Sequence, residues 1–287
     1  MIKIRIFEGG IMNNNLYSST HLKNAVMKCF NPNNLDIFYK DKPVYITDES
    51  DFTHAIILNT AMPVLKIPKQ NVIGLAWEPT SFLDIRHDFI NYAIKHIGKY
   101  YIGDKTNLPD PFIENYGFMT YDASIKEISQ KTKKISIVFS SKQFAYGHKY
   151  RHTLVNCILR NKIPIDIYGR GCCLYSVKDD RLKGEFTTFE PYSDYYFTIC
   201  IENFRSNHYF SEKIINPLLY NCRPIYLGCH NINKYLNDSP ILLSGNLKDD
   251  MELIVRILLD PLTYYKKSNI PEINQSVNLL LNLDNLF

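Results

Sequence analysis

The stretch "YYFTICIENFRSNHYFSEKIINPLLYNCRPIYLG", residues 195–228, carries the clearest secondary-structure signal in the chain. Its first and last parts, "YYFTICI" (195–201) and "RPIYLG" (223–228), are short apolar runs bounded by polar or turn-forming residues, which indicates buried strands. Between them, "SEKIINPLLYN" (211–221) has the pattern of a helix. A strand followed by a helix and a second strand is the repeating unit of a parallel sheet.

The same alternation extends outward from this stretch through both halves of the chain. In the first half, strands are predicted at 2–7, 35–39, 54–59, 71–77 and 98–103, with helices at about 20–30 and 84–96. In the second half, strands are predicted at 135–141, 163–169, 195–201, 223–228 and 240–244, with helices from near Tyr150 and at 211–221. The lysine-rich stretch "ASIKEISQKTKK" (123–134) between the halves is predicted to be a linker.

Two halves of this kind predict an α/β protein with two Rossmann-like domains that face each other across a cleft. We place the N-terminal domain at residues 1–130 and the C-terminal domain at 131–287. The tail "NQSVNLLLNLDNLF" (274–287) has leucines at near-helical spacing. It is therefore predicted to be a packing helix, with a return onto the N-terminal domain as one option.

The composition is that of a globular protein and argues against several classes of partner. Hydrophobic residues make up 45% of the chain and charged residues 22%, which are ordinary values. The net charge of +4 is small and its cations are scattered, which argues against nucleic-acid binding. The start "MIKIRIFEGG" lacks a signal-peptide core, and no window approaches the roughly 18 apolar residues of a membrane span. We therefore expect a cytoplasmic protein with no membrane partner.

The seven cysteines are odd in number and irregular in spacing. This pattern favours reduced thiols over a disulfide framework, and it lacks the paired spacing of a zinc site. The sequence carries no signal of the oligomeric state.

Polar side chains gather where the predicted strand 195–201 ends. Glu202 and Asn203 follow it directly, and in open α/β sheets ligands bind beyond the carboxyl ends of the strands. Ser211 is a favoured N-cap, and the free N–H groups of a helix start attract an anion such as phosphate. Glu212 suits the helix dipole and could accept hydrogen bonds from a sugar hydroxyl, whereas Lys213 opposes the dipole unless an anion is bound. The stretch therefore suits either a ligand site or a plain solvated loop.

This stretch resembles the donor-binding signature of the α-1,3-fucosyltransferase family, glycosyltransferase family 10. That pattern runs F-x-x-x-x-E-N-S, a short loop, Y-x-T-E-K, a helix and V-P-[IV]-x-x-G. Two positions depart from it, because Phe204 replaces the serine after the asparagine and Ser211 replaces the threonine. The matching residues are Phe197, Glu202, Asn203, Tyr209, Glu212, Lys213, Pro224, Ile225 and Gly228.

Two further stretches of the second half are similar to the same family. In "FSSKQFAYGHKYRHTLVNCI" (139–158), Arg151 occupies the position of an arginine that binds the donor's pyrophosphate, and its planar fork suits two phosphate oxygens. The neighbouring His148 and Lys149 are predicted to be surface groups. "IPIDIYGRGC" (163–172) resembles the family's strand and turn, with Tyr168 and Gly169 in donor-binding positions. A third glycine is missing there, so a dinucleotide loop is not indicated.

In the first half, "GLAWEPTSF" (74–82) resembles the segment in which the family carries an acid at a strand end. Glu78 is the residue in that position. The resemblance implies that it is the catalytic base, and the alternative is a capping or surface carboxylate.

The resemblance implies a two-domain glycosyltransferase of the GT-B type that transfers L-fucose from GDP-β-L-fucose to a hydroxyl of a glycan acceptor, with inversion of the anomeric centre. Glu78, Arg151 and Lys213 are the implied catalytic residues. The alternatives are the same fold with another nucleotide sugar, or an inactive module that binds a sugar nucleotide or a glycan. The implied donor-binding residues are Arg151, Tyr168, Gly169, Glu202, Asn203, Tyr209, Ser211, Glu212 and Lys213.

No metal or other cofactor is demanded by this scheme, because protein cations can neutralise the pyrophosphate. No D-x-D triplet occurs in the sequence. The adjacent acids Asp179–Asp180 and Asp249–Asp250 lie in polar surroundings and are predicted to be solvated.

Overall fold

A computed structural model of the chain describes residues 2–9, 16–17, 38–117, 129–176, 178–187, 189–237 and 240–287. The helix predicted at 20–30, most of the strand predicted at 35–39 and the start of the predicted linker lie outside these residues. The chain forms two compact units. One comprises residues 1–124, 206–209 and 274–287, and the other comprises residues 125–205 and 210–273.

The first unit contains a mostly parallel sheet in the order β3-β4-β1-β5-β6-β7-β8, with β2 paired to β1. Among the strands that the structure describes here, the pairs β1–β2 and β3–β4 are antiparallel and the other pairs are parallel. Helix α1 (His87–His96) connects β6 to β7. The strands are β1 (Ile2–Gly9), β2 (Leu16–Tyr17), β3 (Phe38–Tyr39), β4 (Lys42–Ile46), β5 (His54–Leu58), β6 (Val72–Leu75), β7 (Lys99–Ile102) and β8 (Phe112–Glu114).

The second unit contains a parallel sheet in the order β11-β10-β9-β12-β13-β14. Its strands are β9 (Lys133–Val138), β10 (Asp166–Tyr168), β11 (Leu182–Gly184), β12 (Tyr195–Ile201), β13 (Arg223–Leu227) and β14 (Ile241–Leu242). Its helices are α2 (Tyr146–Arg160), α3 (Glu212–Leu219), α4 (Leu247–Leu259) and α5 (Pro261–Tyr264), and α6 (Ile270–Val277) and α7 (Leu283–Leu286) follow them. Short 3-10 helices lie at Lys69–Asn71, Thr80–Phe82, Arg170–Leu174 and Ile232–Lys234.

Strand β12 lies in the interior of the second sheet, between β9 and β13. Six of its seven residues are buried, because helices cover both faces of a parallel sheet. This burial explains the unbroken apolar run "YYFTICI", and the predicted strand 195–201 is confirmed to the residue.

The structure also corrects several predictions. Strands β2, β4, β8 and β11 and helices α4 and α5 were not predicted from the sequence. Helix α2 begins at Tyr146 rather than near Tyr150. The tail is not one helix: it comprises the end of α6 and the separate α7. Asn278 explains the break, since its side-chain oxygen accepts a hydrogen bond from the Leu280 N–H at 2.9 Å and so competes with helical bonding.

The solvated role predicted for Asp250 is wrong. This residue lies in α4 and only 1% of its surface is exposed. Its carboxylate accepts hydrogen bonds from the Tyr150 hydroxyl at 2.5 Å, the Ser244 N–H at 2.7 Å and the Gly245 N–H at 3.0 Å. Asp250 therefore ties helix α2 to the start of α4.

Candidate functional site

A cavity of about 420 Å³ lies at the carboxyl ends of β9, β10 and β12 in the second unit. The helices that follow β9 and β12 contribute Arg151 from α2, and Glu212, Lys213 and Asn216 from α3. This is the edge of an open α/β sheet at which ligands bind. The remaining lining residues are Val138, Phe139, Ser140, Lys142, Gly169, Arg170, Phe186, Thr187, Tyr192, Thr198, Ile199, Cys200 and Ile201.

Arg151 projects into this cavity from the second turn of α2 although only 6% of its surface is exposed. Its Nε donates to the Gly147 carbonyl at 3.2 Å, and its Nη2 donates to the side-chain oxygen of Asn203. The Gly147 N–H in turn donates to the Asn203 carbonyl at 3.1 Å. The start of α2 is thereby fixed to the loop after β12, and the guanidinium is held in place before any ligand arrives.

Ser211 begins helix α3 as an N-cap, as predicted. Its side-chain oxygen accepts a hydrogen bond from the Lys213 N–H, and its backbone is extended. The hydroxyl is buried and is not one of the groups that line the cavity. Ser211 therefore stabilises the start of helix α3 without lining the cavity, whereas Glu212 and Lys213 line it.

Lys213 is surrounded by acceptors. Its Nζ lies 3.0 Å from the Ser211 hydroxyl, 3.1 Å from a Glu212 carboxylate oxygen and 3.6 Å from a Glu202 carboxylate oxygen. Burial works to lower the pKa of Lys213, but the charges of Glu202 and Glu212 outweigh it and raise the pKa above its usual value. The ammonium is charged at neutral pH. The two carboxylates are thus a second explanation, besides a bound anion, for a lysine in the first turn.

Glu202 is buried next to Lys213 and does not itself line the cavity. None of its surface is exposed, and it is not a lining residue. Its two oxygens accept from the Ser211 N–H at 2.8 Å and from the Ser211 hydroxyl at 2.7 Å. Burial raises the pKa of this carboxyl group, and the Lys213 charge acts against that rise.

The other residues implied by the resemblance are divided between the cavity and its surroundings. Gly169 lines the cavity, at a backbone φ of 105° that favours glycine. Asn203 reaches it only through Arg151. Tyr168 is buried behind it, where its hydroxyl lies 2.9 Å from that of Tyr195. Tyr209 is buried in the first unit, and a Cβ placed on Gly103 would lie 3.5 Å from it.

Glu78 belongs to the first unit and lies three residues beyond the end of β6, with a half-buried side chain. The preceding residue is fixed, because the Trp77 N–H donates to the side-chain oxygen of Asn59 at 2.9 Å. The 3-10 helix that begins at Thr80 follows directly. Glu78 therefore lies at the carboxyl edge of its own sheet, as the sequence predicted.

His148 was predicted to be a surface group, and this is wrong. Only 3% of it is exposed, and its Nδ1 accepts a hydrogen bond from the Ala145 N–H at 3.2 Å, which caps helix α2. Burial, followed by the charges of Arg151 and Lys142, lowers its pKa to about 4, so the ring is neutral at pH 7. Lys149 is exposed, as predicted.

Sequence reasoning missed several lining residues. Asn216 could have been found, because it lies one turn after Glu212 on the same face of α3. Phe186 and Thr187 lie on a loop without a periodic pattern. Thr187 is held by Glu190, whose carboxylate accepts a hydrogen bond from the Thr187 hydroxyl at 2.8 Å. Hydrogen bonds to backbone N–H groups of this loop and to that hydroxyl lower the pKa of Glu190 to about 2.

Among the residues that the structure describes, no group of three or more His, Cys, Asp or Glu side chains is arranged to hold a metal ion. Within the same residues, no helix has both the length and the apolar character needed to cross a bilayer.

The fold is shared with known glycosyltransferases. Crystal structures of an α1,3-fucosyltransferase with GDP and with GDP-fucose match 92% of this chain, at TM-scores of 0.53 and 0.52 and identities of 14% and 15%. The matches cover 79% and 80% of those chains. A variant of S. aureus TarM matches 78% of this chain and covers 52% of its own, at a TM-score of 0.50 and 11% identity. The chain thus has the GT-B glycosyltransferase fold.

A family comparison matches part of the second half of the sequence. Residues 128–252 are similar to the model described as glycosyltransferase family 10 (fucosyltransferase) C-term. A candidate fucosyltransferase of Acanthamoeba polyphaga mimivirus is 29% identical over 123 residues. That match covers 40% of this chain and only 20% of the relative's length.

Proposed function

We propose that the chain is an inverting glycosyltransferase that transfers L-fucose from GDP-β-L-fucose to a hydroxyl of a glycan acceptor. The observation that carries the proposal is the pair of cations, Arg151 and Lys213, at the starts of two helices that line one cavity. Both lie inside the stretch that matches the fucosyltransferase family. The cavity volume of about 420 Å³ also suits a small-molecule ligand.

The donor's diphosphate is assigned to Arg151 and Lys213. A guanidinium can form two parallel hydrogen bonds to phosphate oxygens, and an ammonium adds a compact charge. The N-terminus of α3, whose Glu212 and Lys213 line the cavity, favours the same negative group through the helix dipole. This scheme neutralises the diphosphate with protein groups and calls for no divalent metal.

The other parts of the donor are assigned to neighbouring residues. The Glu212 carboxylate lines the cavity and is half exposed, which suits the ribose hydroxyls. Gly169 offers backbone to the donor, while Tyr168 supports the lining residue Phe186, whose ring centroid lies 6.1 Å from its own. Asn203 is assigned a supporting role, because its side-chain oxygen accepts a hydrogen bond from Arg151. The implied donor contact of Tyr209 is not part of this scheme, since that residue is buried in the first unit.

In the proposed reaction, Glu78 takes the proton of the acceptor hydroxyl as that oxygen attacks the anomeric carbon of fucose. The bond between this carbon and the diphosphate oxygen breaks, and its electron pair leaves with GDP. The transition state resembles the oxocarbenium-like state of inverting glycosidases. Arg151 and Lys213 stabilise the negative charge that develops on GDP, which is electrostatic preorganisation. The acceptor is assigned to the first unit.

Titration calorimetry tests the choice of donor. We expect GDP and GDP-fucose to bind the wild-type protein, and UDP and UDP-glucose to bind at least about tenfold more weakly, a difference of about 1.4 kcal/mol. Binding of a UDP-sugar without binding of GDP-fucose would assign the site to another donor. Binding of GDP-fucose without turnover on any glycan would indicate an inactive binding module.

A further inference from the structure

Glu202 is a buried carboxylate that the proposed reaction does not use directly. It is fully buried, and a carboxylate in such a place is costly unless it is paired and hydrogen-bonded. The start of helix α3 meets both conditions. Ser211 donates a hydrogen bond to each carboxylate oxygen of Glu202, and the Lys213 ammonium lies 3.6 Å from one of them. All three partners are groups at the start of helix α3.

Two glycines make room for Glu202, one beside its side chain and one beside its backbone. A Cβ added at Gly228 would lie 2.5 Å from the Glu202 Cγ and 2.2 Å from the Tyr226 hydroxyl. A Cβ added at Gly147 would lie 1.7 Å from the Glu202 carbonyl oxygen. Both distances are far below ordinary van der Waals contact, so any larger residue at either position would displace Glu202. Its backbone is also held, since its N–H donates to the Leu227 carbonyl at 2.8 Å.

Because Glu202 is fixed by its surroundings, it can fix the positions of Ser211 and Lys213, which contact it. The lysine side chain loses about 2 kcal/mol of rotamer entropy when it is fixed, so a fixed ammonium needs fixed acceptors. Ser211 receives the Lys213 ammonium on the same hydroxyl that donates to Glu202. The chain of contacts therefore runs from the buried Glu202 through Ser211 to an ammonium that lines the cavity.

We propose that Glu202 is a positioning residue of the donor site: it fixes the Lys213 ammonium at the cavity wall, directly by charge and through Ser211, without touching the donor. This proposal rests on the proposed function, in which Lys213 binds the diphosphate. It differs from the role implied by the family resemblance, in which Glu202 itself contacts the donor.

The arrangement also makes the affinity for GDP-fucose depend on the protonation state of Glu202. Two carboxylates face one ammonium, so a diphosphate that binds there adds further negative charge beside Glu202. The bound donor makes proton uptake by Glu202 more favourable, and GDP-fucose affinity therefore falls as the pH rises through the range in which Glu202 loses its proton. The titratable and charged groups that face Glu202 or its partners are Lys213 and Glu212 on α3, Arg151 and His148 on α2, Cys200 on β12 and Tyr226 on β13.

Glu202→Gln tests this role, because glutamine has nearly the same shape but no charge and only one accepting atom. We expect kcat to fall about 10²-fold, the cost of misplacing a catalytic group by about 1 Å. The Kd for GDP-fucose should change less than about threefold, because the loss of a competing negative charge offsets the loss of orientation. The pH dependence of that Kd should flatten, and the diphosphate diester of GDP-fucose does not itself titrate near neutrality.

Asp250→Asn is the matched control, since Asp250 is an equally buried carboxylate of the same unit that accepts four hydrogen bonds but does not line the cavity. Asp250→Asn should lower the melting temperature without flattening the pH dependence of the Kd for GDP-fucose. Equal loss of activity in both variants, in proportion to the folded fraction, would make Glu202 a merely structural residue and overturn the proposal. A kcat unchanged by Glu202→Gln would overturn it too.

Ser211→Ala provides a second variant that leaves the buried charge in place. It removes the hydroxyl between Glu202 and Lys213. We expect a fall in kcat of about 3- to 10-fold at constant Kd, because the ammonium loses its hydrogen bond to that hydroxyl, a contribution of about 1 kcal/mol. No fall in kcat would contradict the proposed chain of contacts. Absence of GDP-fucose binding to the wild-type protein would refute the proposed function instead, and calorimetry on the wild type separates the two failures.

Discussion

Replacing Lys213 by alanine is expected to lower kcat for fucosyl transfer about 10²- to 10³-fold, the usual cost of removing one preorganised group that stabilises developing charge. The ammonium lines the cavity and is charged at neutral pH, so its loss removes one of the two cations assigned to the departing GDP. Steady-state kinetics with saturating GDP-fucose measures the effect. It is a direct test of the diphosphate assignment.

The variant also leaves Glu202 buried without its cation, which destabilises the fold. Activity is therefore compared at a temperature where thermal unfolding shows the variant to be fully folded. Lys149→Ala is the matched control, because Lys149 is an exposed lysine of helix α2 that does not line the cavity. Wild-type kcat in a folded Lys213→Ala protein would remove Lys213 from the mechanism.

Replacing Glu78 by glutamine is expected to lower kcat about 10²- to 10⁴-fold, the range attributed to general base catalysis. Glutamine keeps the shape of the side chain but cannot take a proton from the acceptor hydroxyl. The Kd for GDP-fucose should remain that of the wild type, because the donor is assigned to the second unit. Calorimetry and steady-state kinetics on the same preparation separate these two effects.

Glu49→Gln is the control for this variant, since Glu49 is an exposed acid of the first unit, 3.5 Å from Lys3. It should keep both kcat and donor affinity. Weaker donor binding with normal turnover in Glu78→Gln would contradict the assignment of Glu78 as the base and would favour a capping or binding role.

The sequence was most informative where a signal is local. The strand 195–201 is an unbroken apolar run, and Ser211 is a side chain that caps its own helix, so neighbouring residues were enough to predict both. Sequence order also placed Arg151 and Lys213 after neighbouring strands of a parallel sheet. Because such strands end at one edge, these two side chains could be expected to meet, and both line the same cavity.

The two wrong predictions of solvent exposure concern burial, which depends on residues distant in sequence. His148 and Asp250 look like surface residues in their local context, yet each is buried by packing and hydrogen bonding. Helix α4 was not predicted, although its buried Met251, Ile254 and Leu258 follow helical spacing, and the adjacent acids at its start were predicted only to be solvated. The burial of Glu202 depends on Gly147 and Gly228, which are 55 and 26 residues away along the chain.

The most direct test of the central claim is a transfer reaction on a glycan array with GDP-fucose as the donor, followed by NMR of the product. We predict transfer of one fucose to a subset of the glycans, release of GDP, and an α-configured fucoside from the β-configured donor. A β-fucoside would contradict the inverting mechanism. No transfer from GDP-fucose, together with transfer from a different nucleotide sugar, would contradict the assignment of the chain as a fucosyltransferase.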